Sequence, residues 1–499
     1  MSEVTTDEAN SKGQILKSTA IFGSAQVIIV LVGIVRTKIL AVLLGPAGVA
    51  ISGLYQSVLD LVKTATGLGL GYSGVREIAE ASATGNSKRV SVAILVLKRW
   101  SWFTGLIGVL LTIVFSRQVS QATFGNKNHV IEFSVLSITL LLSALTTSRS
   151  AILQGLRRIT DMARSLILAA IIGLLSSSII YYFLGIRGIV LAIITATAIE
   201  LSLTWYYSKK LTIDKVSLSV HKTFAEGKAM AKLGFFMTIS LLASTASMYF
   251  VRAFIVHQDG LHTAGYFIAA WTISSLYISA VFNAMAADYF PRLSTIQHDL
   301  TTMRKLVNDQ TDVALLLTVP LIIIMISFID WLVPVFYSRA FDQTAMILSW
   351  QLTGDFFKVL SWPVGFILLA KGRGMIFLIT EIAWNLLFCS FTYFGWNFLG
   401  LEITGISFLM AYFIYLIIVY SIVGKMYGFR WTRTVWKVIL VLFPLLVLSF
   451  LSARFLGGGL KFLFGGIFTL IALTYSYIQL QNLVDFKRIL RHVRLKNIF

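Results

Sequence analysis

The chain has 499 residues, of which 57% are hydrophobic and only 13% charged, and its mean hydropathy is +0.82. A soluble domain is nearer half apolar and a quarter charged, so these values exclude an ordinary soluble enzyme or binding module. The net charge of +20 does not restore a nucleic-acid reading, because the cations sit between long apolar runs.

The opening MSEVTTDEANSKG is polar and slightly acidic, without the basic start and small-residue cleavage site of a signal peptide. Residues 1–14 read as a cytoplasmic N-terminus. Apolar runs and their polar breaks then give fourteen expected spans. They fall near 15–43, 47–72, 90–116, 130–155, 163–184, 188–208 and 229–256. The later ones fall near 264–290, 307–336, 344–370, 374–398, 403–424, 435–453 and 460–483. A helix needs ~20 apolar residues to cross the hydrocarbon core. The charge-free runs Leu166–Ile186, Ile382–Leu401, Ile403–Gly424 and Phe462–Val484 meet that length outright. No loop is long enough to fold alone, so an enzyme with a soluble head is not expected. The single cysteine, Cys389, lies within an apolar run and has no partner for a disulfide in this chain. The expected class is an all-α polytopic membrane protein.

Of 42 Lys and Arg, thirty fall in the termini, in alternate loops or at the span ends beside them, as at Lys88-Arg89, Lys209-Lys210 and Arg304-Lys305. Six fall in the opposite loops. That is the positive-inside pattern, with both termini cytoplasmic. The tail FKRILRHVRLKNIF is expected to lie as an amphipathic helix on an anionic membrane surface.

Weak features recur at a nearly constant offset. Ala47-Gly48 is answered by Ala264-Gly265, Arg76 by Arg292, and Lys38 by Arg252, 217, 216 and 214 residues later. Six spans separate each pair, an even number, so the copies share one orientation and make a parallel repeat. The organisation expected is an N-lobe at 15–208, an inter-lobe linker at 209–228 and a C-lobe at 229–427. Spans 13 and 14 at 428–483 and a basic tail at 484–499 follow.

The remaining cations lie within spans: Arg36, Lys38, Lys63, Arg149, Arg252 and Lys358. A charge at the bilayer centre costs on the order of 2.5–3.5 kcal/mol by insertion scales. Asp355 and Lys358 share a helix face at i,i+3, and Asp60 and Lys63 repeat that spacing in span 2. Two readings stand. In one, these are satisfied pairs that pin helix packing. In the other, they line a wet cavity, which suits Arg36, Lys38, Arg149 and Arg252, since none has an acid close in sequence.

The cations also sort by depth. Arg149 lies toward the cytoplasmic end of span 4, Lys63 and Lys358 near the middle, and Lys38 and Arg252 toward the outer ends of spans 1 and 7. Such a ladder suits an anionic head group moving outward, with phosphate the expected anion. Asp60, Asp355 and Glu381 are candidate ion carriers, since carboxylates inside a membrane serve as proton relays. Trp271 and Trp350 are candidates for stacking on sugars. The histidines show no metal spacing, no Walker A motif is present, and no cofactor is expected. GLGLGYSG at Gly67–Gly74 looks like a dinucleotide loop but follows a span and no strand, so close helix packing or a hinge is its reading.

LLGPAG (Leu43–Gly48), YFPRLS (Tyr289–Ser294) and WQLTGDFFKV…LLAKGR…TEI (Trp350–Ile382) together resemble the Wzx-type polysaccharide flippases. These form the polysaccharide transporter branch of the multidrug/oligosaccharidyl-lipid/polysaccharide exporter superfamily. The resemblance covers about residues 15–427. Asp355, Lys358, Lys371 and Glu381 stand where the family pattern has them, and Lys38 and Arg252 match family cations in spans 1 and 7. Spans 13 and 14 go beyond the twelve helices of similar members.

The resemblance implies two six-helix lobes around a V-shaped cationic cavity that opens alternately to each side. It implies a flippase in the bacterial inner membrane for an undecaprenyl-pyrophosphate-linked oligosaccharide, carried from the cytoplasmic to the periplasmic leaflet for O-antigen or a related surface polysaccharide. Its partners would be that cargo, membrane lipids, and the polymerase and chain-length proteins of the same pathway, with no nucleic acid. Two other readings compete. A multidrug exporter of the same fold would prefer acids in its cavity. A membrane glycan polymerase or ligase would carry a large periplasmic loop with catalytic Arg or His, and this chain has none.

Overall fold

Every element among the described residues is helical, as it must be where no water satisfies the backbone. The structure is a computed structural model. It describes the backbone of residues 2–483 except 212, 213, 215 and 297. Side chains are described over the same residues except 2–23, 229–237, 280, 283, 284, 286–288, 291, 482 and 483. The tail 484–499, expected to be an amphipathic helix, lies outside the described residues.

The helices are α1 (Ser2–Gly67), α2 (Leu70–Ala83), α3 (Ser87–Val114), α4 (Ser116–Phe124), α5 (Val130–Leu136), α6 (Ile138–Gly155), α7 (Ile159–Leu184) and α8 (Ile189–Lys209). There follow α9 (Val220–Thr295), α10 (Leu300–Ser327), α11 (Ile329–Phe336), α12 (Thr344–Ala370), α13 (Gly374–Leu399), α14 (Ile403–Tyr427), α15 (Arg433–Phe455) and α16 (Gly458–Leu483). Ten apolar segments among the described residues are long enough to cross a membrane. Four of them, Ser24–Gly67, Ile159–Lys209, Thr238–Ser279 and Gly374–Tyr427, hold between 42 and 54 residues. At 1.5 Å per residue these run roughly 63–81 Å, twice a ~30 Å core. Each therefore makes two crossings, and the count among the described residues comes to fourteen. Lipid-facing surface agrees: Phe398 is 85% and Phe183 75% exposed, which water would not favour.

The crossings turn at glycines, in matched pairs. α1 bends at Gly45 (φ 63, ψ −168) and α9 at Gly260 (φ 83, ψ −173), 215 residues later. α7 passes into α8 at Gly185 (φ 55, ψ −138), and α13 into α14 at Gly400 (φ 54, ψ −136), again 215 later. These left-handed values are cheap only for glycine. α3 and α10 each have 28 residues and start from a side-chain cap, Asn86 and Asp299, which satisfies otherwise orphaned N–H groups. α7 and α13 each have 26 residues. A six-span parallel repeat is thus written in the backbone as well as in the sequence. One departure is plain. α1 stops at Gly67, and Leu68 and Gly69 turn left-handed (φ 49 and 66) before α2 begins. In the second copy α9 has Gly260 as its sole non-helical residue and runs from there to Thr295.

The described residues pack as two compact units divided after residue 268, with 336–340 joined to the first unit. The boundary falls inside α9, so the span at 238–260 packs in the first unit although the sequence repeat assigns it to the second copy. In the first unit, Leu70, Ile78, Leu97, Trp100 and Ile152 form a buried cluster. The Trp100 indole donates to the Thr223 carbonyl (3.1 Å), tying the start of α9 to α3. In the second unit the last two spans are built into the packing. Ser327 of α10 bonds Ser449 of α15 (2.9 Å) and the Gly465 carbonyl of α16 (3.2 Å). Asn308 accepts from the Thr432 amide (2.8 Å), and Lys461 pairs with Asp330.

Candidate functional site

The first unit holds a cavity of about 340 Å³. Asp60 and Lys63, one turn apart on α1, line it with hydroxyl-bearing residues of α3, α6 and α9 and with the break between α1 and α2. Of the six expected cations, Lys63 alone is exposed. It lies four residues from the end of α1, just before the break after Gly67. Its acidic neighbours are Asp60 and Glu200. One Asp60 oxygen accepts from the Gln56 amide at 3.0 Å.

Arg252 is half-buried beside Asp60 and spends donors on the protein itself. One terminal nitrogen donates to the Gly53 carbonyl (3.2 Å) and to Ser57 Oγ (2.5 Å), clamping α9 to α1, while its Nε is buried without a partner. Arg149 of α6 is half-buried and faces a second cation, Lys98 of α3. The sequence reading missed Lys98, since only the packing of two distant helices brings the two charges together. Arg36 and Lys38 are half-buried on α1 outside the cavity lining. Two residues apart, they point to different sides of the helix.

The other expected charges gather in the second unit. Asp355 is fully buried on α12, and one of its oxygens accepts from Ser274 Oγ and Tyr277 OH, each at 2.7 Å. Its other oxygen has no hydrogen-bond partner. Neither takes a hydrogen bond from Lys358, so the i,i+3 pair is not the closed couple that its spacing suggested. The Lys358 ammonium instead lies over the rings of Tyr412 (5.4 Å) and Phe408 (5.8 Å), with Asp355 and Glu381 as its acidic neighbours. Such cation–π contacts favour a desolvated ammonium. Glu381 accepts from Tyr415 OH at 2.6 Å. Ser274, Tyr277, Tyr412 and Tyr415 escaped the sequence reading because they reach the charges from other helices, 34 residues or more away. Trp350 is also corrected. Its indole donates to Glu402 (2.7 Å), packs on Phe450 and lies under Arg454, so it is occupied by the protein rather than open to a sugar.

Long paired crossings turned at matched glycines, with ionisable groups buried inside them, define a polytopic membrane protein built from a parallel repeat. The chain matches the family described as polysaccharide biosynthesis protein over residues 15–297, more than half its length, and belongs to that family. It is 22% identical to the lipid III flippase of Escherichia coli strain K12 over 361 residues, covering 70% of this chain and 84% of that one. The lipid III flippase of Shigella flexneri matches at the same identity and extent.

Among solved structures, the inward-facing form of a multidrug resistance MATE family transporter of the MOP superfamily superposes with a TM-score of 0.70 at 15% identity, covering 80% of this chain and 94% of that one. The lipid II flippase MurJ, in an inward closed conformation, gives 0.68 at 16%, covering 92% and 99%. At these identities the likeness is one of fold. A cover of 92% leaves about 40 residues out, too few to omit both final spans, so that likeness reaches past the twelve-helix repeat.

Proposed function

We propose that this protein is a flippase that carries an undecaprenyl-pyrophosphate-linked oligosaccharide from the cytoplasmic to the periplasmic leaflet of the bacterial inner membrane by alternating access. The cargo is the repeat unit of O-antigen or a related surface polysaccharide. The observation that carries the reading is Lys63, an exposed ammonium in a hydroxyl-lined cavity among membrane spans. An ammonium there binds a diphosphate as a point charge and releases it without bidentate geometry. Membership in a polysaccharide family and likeness to lipid III flippases support the same class of cargo.

In this reading Arg36, Lys38, Arg149, Arg252 and Lys358 keep the spans attractive to the diphosphate along its path. Asp60, Asp355 and Glu381 carry the coupling ion. The polymerase and chain-length proteins of the pathway receive the cargo outside. A multidrug exporter has the same fold, but a cationic drug needs an acid left unmatched, and Asp60 has both Lys63 and Arg252 beside it.

The test is a strain lacking this protein. Lipid-linked oligosaccharide should accumulate in the inner leaflet and surface polysaccharide should disappear. Lys63→Arg should restore part of the export, and Lys63→Ala none of it, at equal protein level. Normal export with Lys63→Ala would remove the proposed diphosphate contact. Unchanged surface polysaccharide in the deletion strain, with altered drug sensitivity, would favour the multidrug reading.

A further inference from the structure

The cavity in the first unit has a wall that the shared fold does not require. The second copy runs as unbroken helix where the first is interrupted by GLGLGYSG, with Leu68 and Gly69 both left-handed. Gly67, Gly69, Gly71 and Tyr72 all line the cavity. A Cβ on Gly67 would meet nothing within 4 Å, so bare backbone faces open space there. The break trades a regular helix end for an open wall.

Several hydroxyls on the other walls are already spent as donors. Thr66, Thr147 and Thr245 donate their protons to the Val62, Ser143 and Leu241 carbonyls at 2.9 Å, within their own helices. What they keep for a ligand is lone pairs. Asp60 is an acceptor as well. Ser148, 2% exposed and part of the lining, has no hydrogen-bond partner at all. A buried hydroxyl left so calls for an explanation, and a ligand group that both donates and accepts, as a sugar hydroxyl does, is the direct one. Between these groups lie apolar surfaces of Leu70, Leu97 and Leu140.

This lining discriminates between the two ends of a sugar diphosphate. A diphosphate brings only acceptors, and the one cationic donor in the lining is Lys63. A pyranose ring brings several hydroxyl donors and an apolar C–H face, which match the acceptors and the leucines. We propose that this cavity is a glycan subsite that binds the sugar next to the diphosphate, with Lys63 holding the diphosphate beside it. The inference rests on the lipid-linked-oligosaccharide reading and extends it to the recognition of the first sugar. The volume, about 340 Å³, is at the small end of ligand pockets, so one end of the glycan enters and the rest stays outside.

The experiment uses the full-length protein in lipid nanodiscs and measures binding of undecaprenyl diphosphate alone and of undecaprenyl diphosphate bearing a single glucose, galactose or N-acetylglucosamine. At least one glycosylated lipid should bind about tenfold more tightly than the bare one, the worth of one or two net hydrogen bonds. Gly67→Leu fills the open space and should abolish that advantage, lowering the binding of the glycosylated lipid more than that of bare undecaprenyl diphosphate. Ser148→Ala should reduce the advantage severalfold without lowering thermal stability, since the hydroxyl has no protein partner to lose. Lys63→Ala should weaken all the lipids alike. Equal binding of bare and glycosylated lipids by the wild type would overturn the subsite, as would Gly67→Leu and Ser148→Ala variants that keep the full sugar advantage. Binding of none of the lipids would instead overturn the flippase reading from which the inference starts.

Discussion

Lys358 has two carboxylates as its electrostatic neighbours, Asp355 and Glu381, and all three sit where water is scarce. Removing the cation leaves both acids uncompensated, and breaking a buried pair in this way costs roughly 3–5 kcal/mol. Lys358→Met should therefore lower the thermal unfolding temperature in detergent markedly. Adding Asp355→Asn should recover part of the loss, because an amide still fits the Ser274 and Tyr277 hydroxyls at one end. A double variant no more stable than Lys358→Met would show that the acids do not depend on this cation. Export measured on the same variants asks a separate question, since recovered stability without recovered export leaves Lys358 with a role in transport. At this scale the sequence was half legible. The i,i+3 spacing marked Asp355 and Lys358 as belonging together. Their true partners, two hydroxyls about 80 residues away and two aromatic rings of α14, depend on packing that spacing does not encode.

Element boundaries were legible wherever glycine interrupts an apolar run. Gly45 with Pro46 separates the first two spans, and a proline just inside a helix start suits its fixed φ. Close packing at the same place was not legible, although Ala264-Gly265 had stood out as half of a repeated motif. A Cβ on Gly265 would lie 2.2 Å from the Pro46 carbonyl oxygen, so α9 and α1 meet there backbone to backbone, as small residues allow in membranes. Gly265→Ala should cost about 1–3 kcal/mol through overpacking, read as a lower unfolding temperature; an unchanged one would mean the two helices separate freely. Gly372 offers the opposite case. Its φ is +70 and a Cβ would meet nothing within 4 Å. Gly372→Ala should thus cost about 1 kcal/mol from backbone conformation alone. Gly374→Ala, equally unobstructed and at the first position of α13, should be neutral or stabilising. Equal effects at both positions would contradict the conformational argument.

Across the whole molecule, the two copies agree in backbone and disagree in charge. Turns at Gly45 and Gly260 and at Gly185 and Gly400 keep the 215-residue offset. At the same offset Lys63 corresponds to Ile278, and Asp355 to Leu140. The scaffold was legible because helix length and turn glycines are local properties. The cavity was not, because its walls come from five helices and its key feature is a break that only one copy has. An offset of six spans also constrains topology, since equivalent turns must lie on one side of the membrane. The basic loops, at Lys88-Arg89, Arg157-Arg158 and Lys209-Lys210 in one copy and Arg304-Lys305, Lys371 and Arg373 in the other, should then all be cytoplasmic. Reporters fused after Lys210 and Arg304 should read as cytoplasmic, and reporters fused after Lys127 and Leu261 as periplasmic. Because the turns are paired by the repeat, the four fusions are not independent: Leu261 lies beside the Gly260 turn and must agree with any reporter placed at Gly45. External signals at both Lys210 and Arg304 would invert the orientation, and with it the direction in which Lys63 meets its cargo. A split result, with Lys210 inside and Arg304 outside, would mean an odd number of crossings between them, and the parallel repeat itself would fall.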